Sequence, residues 1–273
     1  MPFRLFRLGR LQRKVLLVIS VIVIVPMLVA GWLAAEWVSI SFEKRLEQWI
    51  VDAARANQNW LQAYQNDAVM LGRVLADDPG YVANIERNPE EAIPLPVRRI
   101  SQELSINLIQ LYTPDKKLLY SSIPVEVHAL WERGQTEAVL KVVRKQKTML
   151  AAVGITPIPR HGKPRYYLVL GSLLGQDFTD ELAQLTGLKA RLYYREGKKY
   201  FDLFSAPGEV IALKHLSATA LDRLEKQKKS YYSLEAENGQ YRGLYTPIVD
   251  PTGRVEAIMF SGLERRGVQE VLT

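Results

Sequence analysis

The sequence contains no cysteine, and that one absence removes disulfides, thiol nucleophiles and thiolate metal sites together. Only three histidines occur, His128, His161 and His215, and no two of them stand at metal-ligand spacing. The chain has no glycine-rich phosphate loop, no nucleophile elbow and no His-Glu zinc pair. Asp177, Asp180 and Glu181 cluster at the start of an expected helix, where the dipole favours acids in any case. Asp115 and Asp250 belong to turns. No catalytic residue, metal site or cofactor is therefore expected. Acids are also missing from one particular stretch: residues 1–14 carry Arg4, Arg7, Arg10, Arg13 and Lys14 with no Asp or Glu. Five of the 36 basic residues lie in that flank, leaving 31 against 29 acidic ones, so the net charge of +7 reports topology rather than a nucleic-acid partner.

What is present begins with an uncharged run at residues 15–35 (VLLVISVIVIVPMLVAGWLAA). About twenty apolar residues cross the hydrocarbon core as a helix. The run is longer than the core of a cleaved secretory signal. The basic flank places the N-terminus in the cytoplasm and the chain after about Glu36 outside. Pro26 lies within the run and is tolerated in a membrane helix.

Residues 37–77 read as one long helix leaving the membrane. Phe42, Leu46, Trp49, Ala53, Ala56 and Trp60, continued by Ala63, Met70 and Val74, form a heptad-like stripe. The stripe is expected to serve partly for packing on the chain's own domain and partly as a homodimer seam. The helix ends near Asp77-Asp78-Pro79-Gly80. Residues 79–97 read as loop with a short helix near Pro89–Ala92, followed by a helix over 97–104.

The pattern then turns to period two. Strands are expected at 106–113 and 118–122, joined by a turn at 114–117. Residues 125–146 read as a helix with Val127, Leu130, Trp131, Ala138, Val139 and Val142 on one side. Strands follow at 149–158 and 165–174. A helix over 177–186, capped by Asp177 or Thr179 and closed by Gly187, precedes a second round. That round has strands at 188–195, 199–204, 231–235, 240–249 and 255–263, and a helix at 217–228. The fold class is thus α+β: a transmembrane helix and a long stalk helix carrying two antiparallel sheet modules.

The segments LYTPDKKLLYSS, DFTDELAQLTGLKARLYY and GQYRGLYTPIVDPTGRVEAIMFSGL, following a membrane helix and a stalk, resemble the double Cache (PAS-like) extracytoplasmic sensor domains of bacterial transmembrane receptors. The aromatic pattern of the family's amine-binding branch is absent. The resemblance implies a cytoplasmic N-terminus at 1–14, a transmembrane helix at 15–36, a stalk at 37–78, a membrane-distal module at 79–176 and a membrane-proximal module at 177–263. Residues 264–273 would lead toward a second transmembrane helix beyond Thr273. It further implies a non-enzymatic input module in the bacterial inner membrane, in contact with the bilayer, homodimeric and biased by a small-molecule ligand. The output would be a histidine kinase of a two-component system, with a chemoreceptor or diguanylate cyclase also compatible. An anchored periplasmic scaffold is the competing class. Ligand contacts are expected from Arg98, Arg99, Gln110, Tyr112, Tyr120, Ser122, His128, Trp131 and Tyr167, while Tyr241 and Tyr245 are assigned to packing.

Overall fold

The computed structural model describes residues 10–88, 106–144, 147–160, 163–205 and 211–265. It divides into two compact units, residues 1–49 and 50–273. Helix α1 (Arg10–Ala76) is continuous through Pro26. In the first unit its apolar side chains from Val18 to Ile40, including Trp32 and Trp37, are exposed, and the helix is long and apolar enough to cross a membrane.

In the second unit α1 buries Ile50, Ala54, Asn57, Leu61, Ala68, Leu71 and Leu75. This stripe lies one residue beyond the expected one, a rotation of about 100° around the helix. Met70 and Val74 of the expected stripe are each 63% exposed. The offset has a plain cause. Both neighbouring faces are apolar at helical spacing, with Ile50, Leu61, Leu71 and Leu75 on the buried one and Trp49, Trp60, Met70 and Val74 on the expected one, so periodicity alone does not choose between them.

Asp78 accepts from the Gly80 N–H and caps α2 (Pro79–Arg87), with Pro79 in the first turn, where its missing N–H costs nothing. Residues 79–87 are therefore helix rather than the expected loop, and Tyr81 and Ile85 are buried. The helices expected at Pro89–Ala92 and over 97–104 lie outside the described residues.

The first sheet has the order β2-β1-β5-β4-β3, all antiparallel. Its strands are β1 (Leu108–Tyr112), β2 (Leu118–Ser121), β3 (Glu137–Arg144), β4 (Lys147–Arg160) and β5 (Lys163–Leu174). The helix expected over 125–146 is the main correction. Only α3 (His128–Glu132) is helical, and 137–144 is strand β3. Ala138, Leu140 and Val142 are buried in one core and Val139 on the other face joins a second, while Lys141 and Val143 beside Val139 are exposed. The consecutive apolar residues Ala138-Val139-Leu140 and Val142-Val143 mask the period-two signature of a strand.

Helix α4 (Gln176–Thr186) leads into the second sheet. Its N-cap is Gly175, with no side-chain cap, rather than Asp177 or Thr179. Gly187 closes it at φ 69°, a left-handed turn that suits glycine. The second sheet has the order β8-β7-β6-β11-β10-β9. It comprises β6 (Lys189–Glu196), β7 (Lys199–Asp202), the unexpected β8 (Ile211–Ala212), β9 (Tyr231–Glu235), β10 (Tyr241–Val249) and β11 (Val255–Glu264). Helix α5 (Ala218–Glu225) is capped by the Ser217 hydroxyl on the Ala220 N–H.

Helix α1 sits on both sheets. A core of Leu61, Leu150, Leu174, Phe178, Leu192 and Met259 joins α1, α4 and the facing sides of the two sheets. Over the first sheet the approach is very close: a Cβ on Gly154 would lie 2.7 Å from the Val69 backbone nitrogen. The Thr156 hydroxyl there donates to the Val69 carbonyl at 3.3 Å. Over the second sheet the contact is polar, with Asn57 Nδ2 donating to Ser261 Oγ at 2.9 Å between fully buried residues.

Candidate functional site

The outer face of the first sheet, away from α1, carries a cavity of about 560 Å³. That volume is within the range of small-molecule sites. Gln110 and Tyr112 alternate onto this face of β1, and the segment from Ile123 to Trp131 folds back across it. Gln110 holds that segment in place. Its amide donates to Ser121 Oγ, the Ile123 carbonyl and the Val125 carbonyl at 3.1–3.3 Å, and its Oε1 accepts from the Tyr112 hydroxyl at 3.1 Å. The fully buried amide is thus consumed by the wall it builds. Burial pushes the Tyr112 hydroxyl up to about 12.

Val125, Val127 and Leu118 supply apolar walls, and Lys116, Glu126 and His128 stand exposed at the rim. Trp131 packs beside the lining residues as an aromatic hub. Its ring lies 4.6 Å from Tyr112 at 85°, 5.9 Å from Tyr167 and 5.6 Å from His128, with the Lys116 ammonium over it at 5.8 Å. Its indole N–H is buried without a hydrogen-bond partner among the described residues.

Of the residues expected at a ligand site, Gln110, Tyr112 and His128 line the cavity, while Trp131 and Tyr167 pack beside Tyr112 and His128 without lining it. Tyr120 is not. A register shift between Leu111 and Tyr112 in the β1–β2 pairing leaves Tyr120 opposite Leu111, on the α1 side of the sheet. Ser122 is spent on the strand ladder, its hydroxyl accepting from the Ile109 N–H at 2.9 Å. Arg98 and Arg99 lie outside the described residues. The cavity also takes Lys141 and Val143 from β3. Reading β3 as helix hid them, and no local pattern marks them. Leu118 begins the strand expected at 118–122.

The outer face of the second sheet is built differently. Glu237 there, 14% exposed, collects donors from several elements. Tyr245 donates to its Oε1 at 2.9 Å, and Arg191 Nη1 approaches its Oε2 at 3.4 Å. The single Tyr245 hydrogen is used on Glu237, so His215 Nε2, 2.7 Å from the same oxygen, is the donor in that contact. Burial first, then the carboxylate, pushes the Tyr245 and Tyr193 hydroxyls far up. Glu237 and Asn238 both hold left-handed backbone, φ 50° and 59°, which is costly without glycine. The chain bears that strain where it aims the carboxylate inward. Tyr245 packs on Phe260, with ring centroids 4.9 Å apart.

The acidic cluster before the second sheet is likewise occupied. Glu181 accepts from Tyr64 at 2.5 Å and from Trp60 Nε1 at 3.4 Å, tying α1 to α4. Among the described residues no three His, Asp or Glu side chains gather as a metal site. Along the expected seam, Phe42, Leu46, Ala53 and Trp60 are half-buried, Ala56 is exposed and Trp49 is 43% exposed.

No protein-family model matches the chain, and no curated protein matches it. Solved structures do. A methyl-accepting chemotaxis protein X aligns at a TM-score of 0.51 and 12% identity, over 82% of this chain and 100% of that one. A domain of a sensory box/GGDEF family protein from Vibrio parahaemolyticus aligns at 0.50 and 12%, over 83% and 97%. At such identity the likeness is one of architecture: the chain shares the α+β, two-sheet fold of these two structures.

Proposed function

We propose that this chain is the membrane-anchored, extracytoplasmic input module of a bacterial signal-transduction receptor, itself without enzymatic activity. Its membrane-distal module would be residues 79–176 and its membrane-proximal module residues 177–263. The observation that carries the reading is the roughly 560 Å³ cavity on the first sheet's outer face, in a fold shared with receptor sensor domains. A small molecule there would bias the arrangement of the first sheet against α1 and β11, the two elements at the chain's ends. Differential affinity of a few kcal/mol is enough to move such an equilibrium. The output would be a histidine kinase, a chemoreceptor or a diguanylate cyclase. Residues 15–36 would span the inner membrane, N-terminus in the cytoplasm, and the exposed Met70 and Val74 of α1 would meet a second copy.

The direct test is a thermal-shift screen of the full chain in lipid nanodiscs against amino acids, carboxylates, phosphates and sugars. At least one compound should raise the melting temperature, and Leu118→Trp, an exposed wall residue grown into the cavity, should abolish the shift. No stabilisation by any compound would count against the reading. The cysteine-free background makes the dimer equally testable. Met70→Cys should cross-link between copies under mild oxidation, whereas Ala54→Cys, fully buried, should not.

A further inference from the structure

Lys141 belongs to two places at once. It lines the cavity on the first sheet. Its ammonium is nevertheless held by the second sheet: Nζ donates to the Arg195 carbonyl at the end of β6 at 3.4 Å and pairs with Glu256 Oε1 on β11 at 3.7 Å. Both side chains are partly shielded, 33% and 20% exposed, so water and salt screen the pair less than a surface pair. β11 is a central strand of its sheet, and it carries Ser261, the partner of Asn57 on α1. One residue therefore touches the cavity and holds the strand that is bonded to α1.

The cavity's ionisable lining points to an occupant. Lys116 and Lys141 face one acid, Glu126, together with His128. Counting Glu256, which pairs with Lys141, the two lysines meet two acids, and the occupant that can take Glu256's place on the Lys141 ammonium is an anion.

The geometry points to Lys141 as the residue through which occupancy of the cavity reaches β11. An anionic group, carboxylate or phosphate, entering the cavity competes with Glu256 for the Lys141 ammonium and loosens the first sheet from the second. This rests on the cavity being a ligand site, as proposed above. A lysine suits the task, because its four-carbon stem is flexible and its charge is not tied to a fixed fork geometry. Glu256 then acts as a built-in competitor. By thermodynamic linkage, anything that weakens the Lys141–Glu256 pair must strengthen anion binding, and binding must weaken the pair. The sign of each substitution follows.

The experiment titrates the full chain in nanodiscs with acetate, succinate and inorganic phosphate at constant ionic strength, with acetamide and succinamide as neutral counterparts. Affinity is read from the thermal shift and from calorimetry. For the anion that binds, Glu256→Gln should tighten affinity about fivefold and Lys141→Met should weaken it by a similar factor. Because Lys141→Met also removes a contact between the sheets, unliganded melting is measured alongside. Glu256→Gln keeps the cavity wall intact and carries the decision. Tightening in Glu256→Gln supports the inference. An anion that binds wild type and both variants equally overturns it while leaving the cavity a ligand site. So does stabilisation by the neutral amides and by none of the anions. No stabilisation by any of these probes, or by any compound of the broader screen, removes the cavity reading itself and this inference with it.

Discussion

The outer faces of the two sheets solve the same problem in opposite ways. Each faces away from α1 and needs cover. The first sheet is covered by a folded-back segment pinned through one neutral amide, Gln110, and a cavity is left between them. The second is closed by a charged and aromatic network centred on Glu237, reached by Arg191, Tyr245 and, through Tyr245, His215. A neutral, partly open wall can rearrange at modest cost. A buried carboxylate with several donors cannot lose one without leaving charge unpaired. The first face is suited to receive a ligand and the second to hold its shape.

The largest expected effect tests the rigid side. Glu237→Ala strips Arg191 and Tyr245 of their acceptor and should cost about 3 kcal/mol in chemical denaturation. If it cost less than any change on the first face, the comparison would be reversed. Next is the seat of α1. Gly154→Ala places a methyl group against the Val69 backbone and should cost about 2 kcal/mol, with faster amide exchange in α1 beside the first sheet. Gln110→Leu should cost about 1–2 kcal/mol, because the Ile123 carbonyl loses this donor and the Val125 carbonyl and Tyr112 hydroxyl keep only their 3.4 Å contact with each other. It should also abolish any ligand shift, since the wall it removes is the cavity's own.

Alkaline pH separates the faces by spectrum. The Tyr112 hydroxyl sits at about 12 when folded, above the usual tyrosine value of about 10. Its contribution to stability is therefore complete below about pH 10 and is lost as pH rises through about 12. Tyr193 and Tyr245 are pushed further, so their phenolate absorbance should appear only as the chain unfolds. Phenolate signal from Tyr245 ahead of unfolding would show an open network. The smallest effect is Tyr81→Phe: this hydroxyl is buried with no partner among the described residues, and its loss should change stability by no more than about 0.5 kcal/mol.

Much of the fold was legible because its signals are local. The Asp-Pro-Gly stop after α1, the left-handed Gly187 and the turns at 114–117 and 250–253 each depend on a few adjacent residues. β3 is hidden for the opposite reason, since its apolar residues run on consecutively and its place in the sheet depends on pairing with β4. The site was half legible. Gln110 and Tyr112 follow from strand alternation, but the register shift that turns Tyr120 away depends on how β2 meets β1. Lys141 depends on a pairing across 115 residues of chain, from β3 to β11.

By itself the sequence determined the apolar span, the charge asymmetry around it, the two rounds of antiparallel strands and the want of thiol chemistry, because composition and short-range periodicity carry these. Only the tertiary structure decided which face of α1 is buried. Packing placed Ile50, Leu61, Leu71 and Leu75 inside, with Ala68 at the close approach to Gly154, and left Met70 and Val74 exposed, a choice made by fit to the sheets between two apolar faces. It also decided that one outer face keeps a cavity and the other a closed network, because that rests on which distant side chains meet.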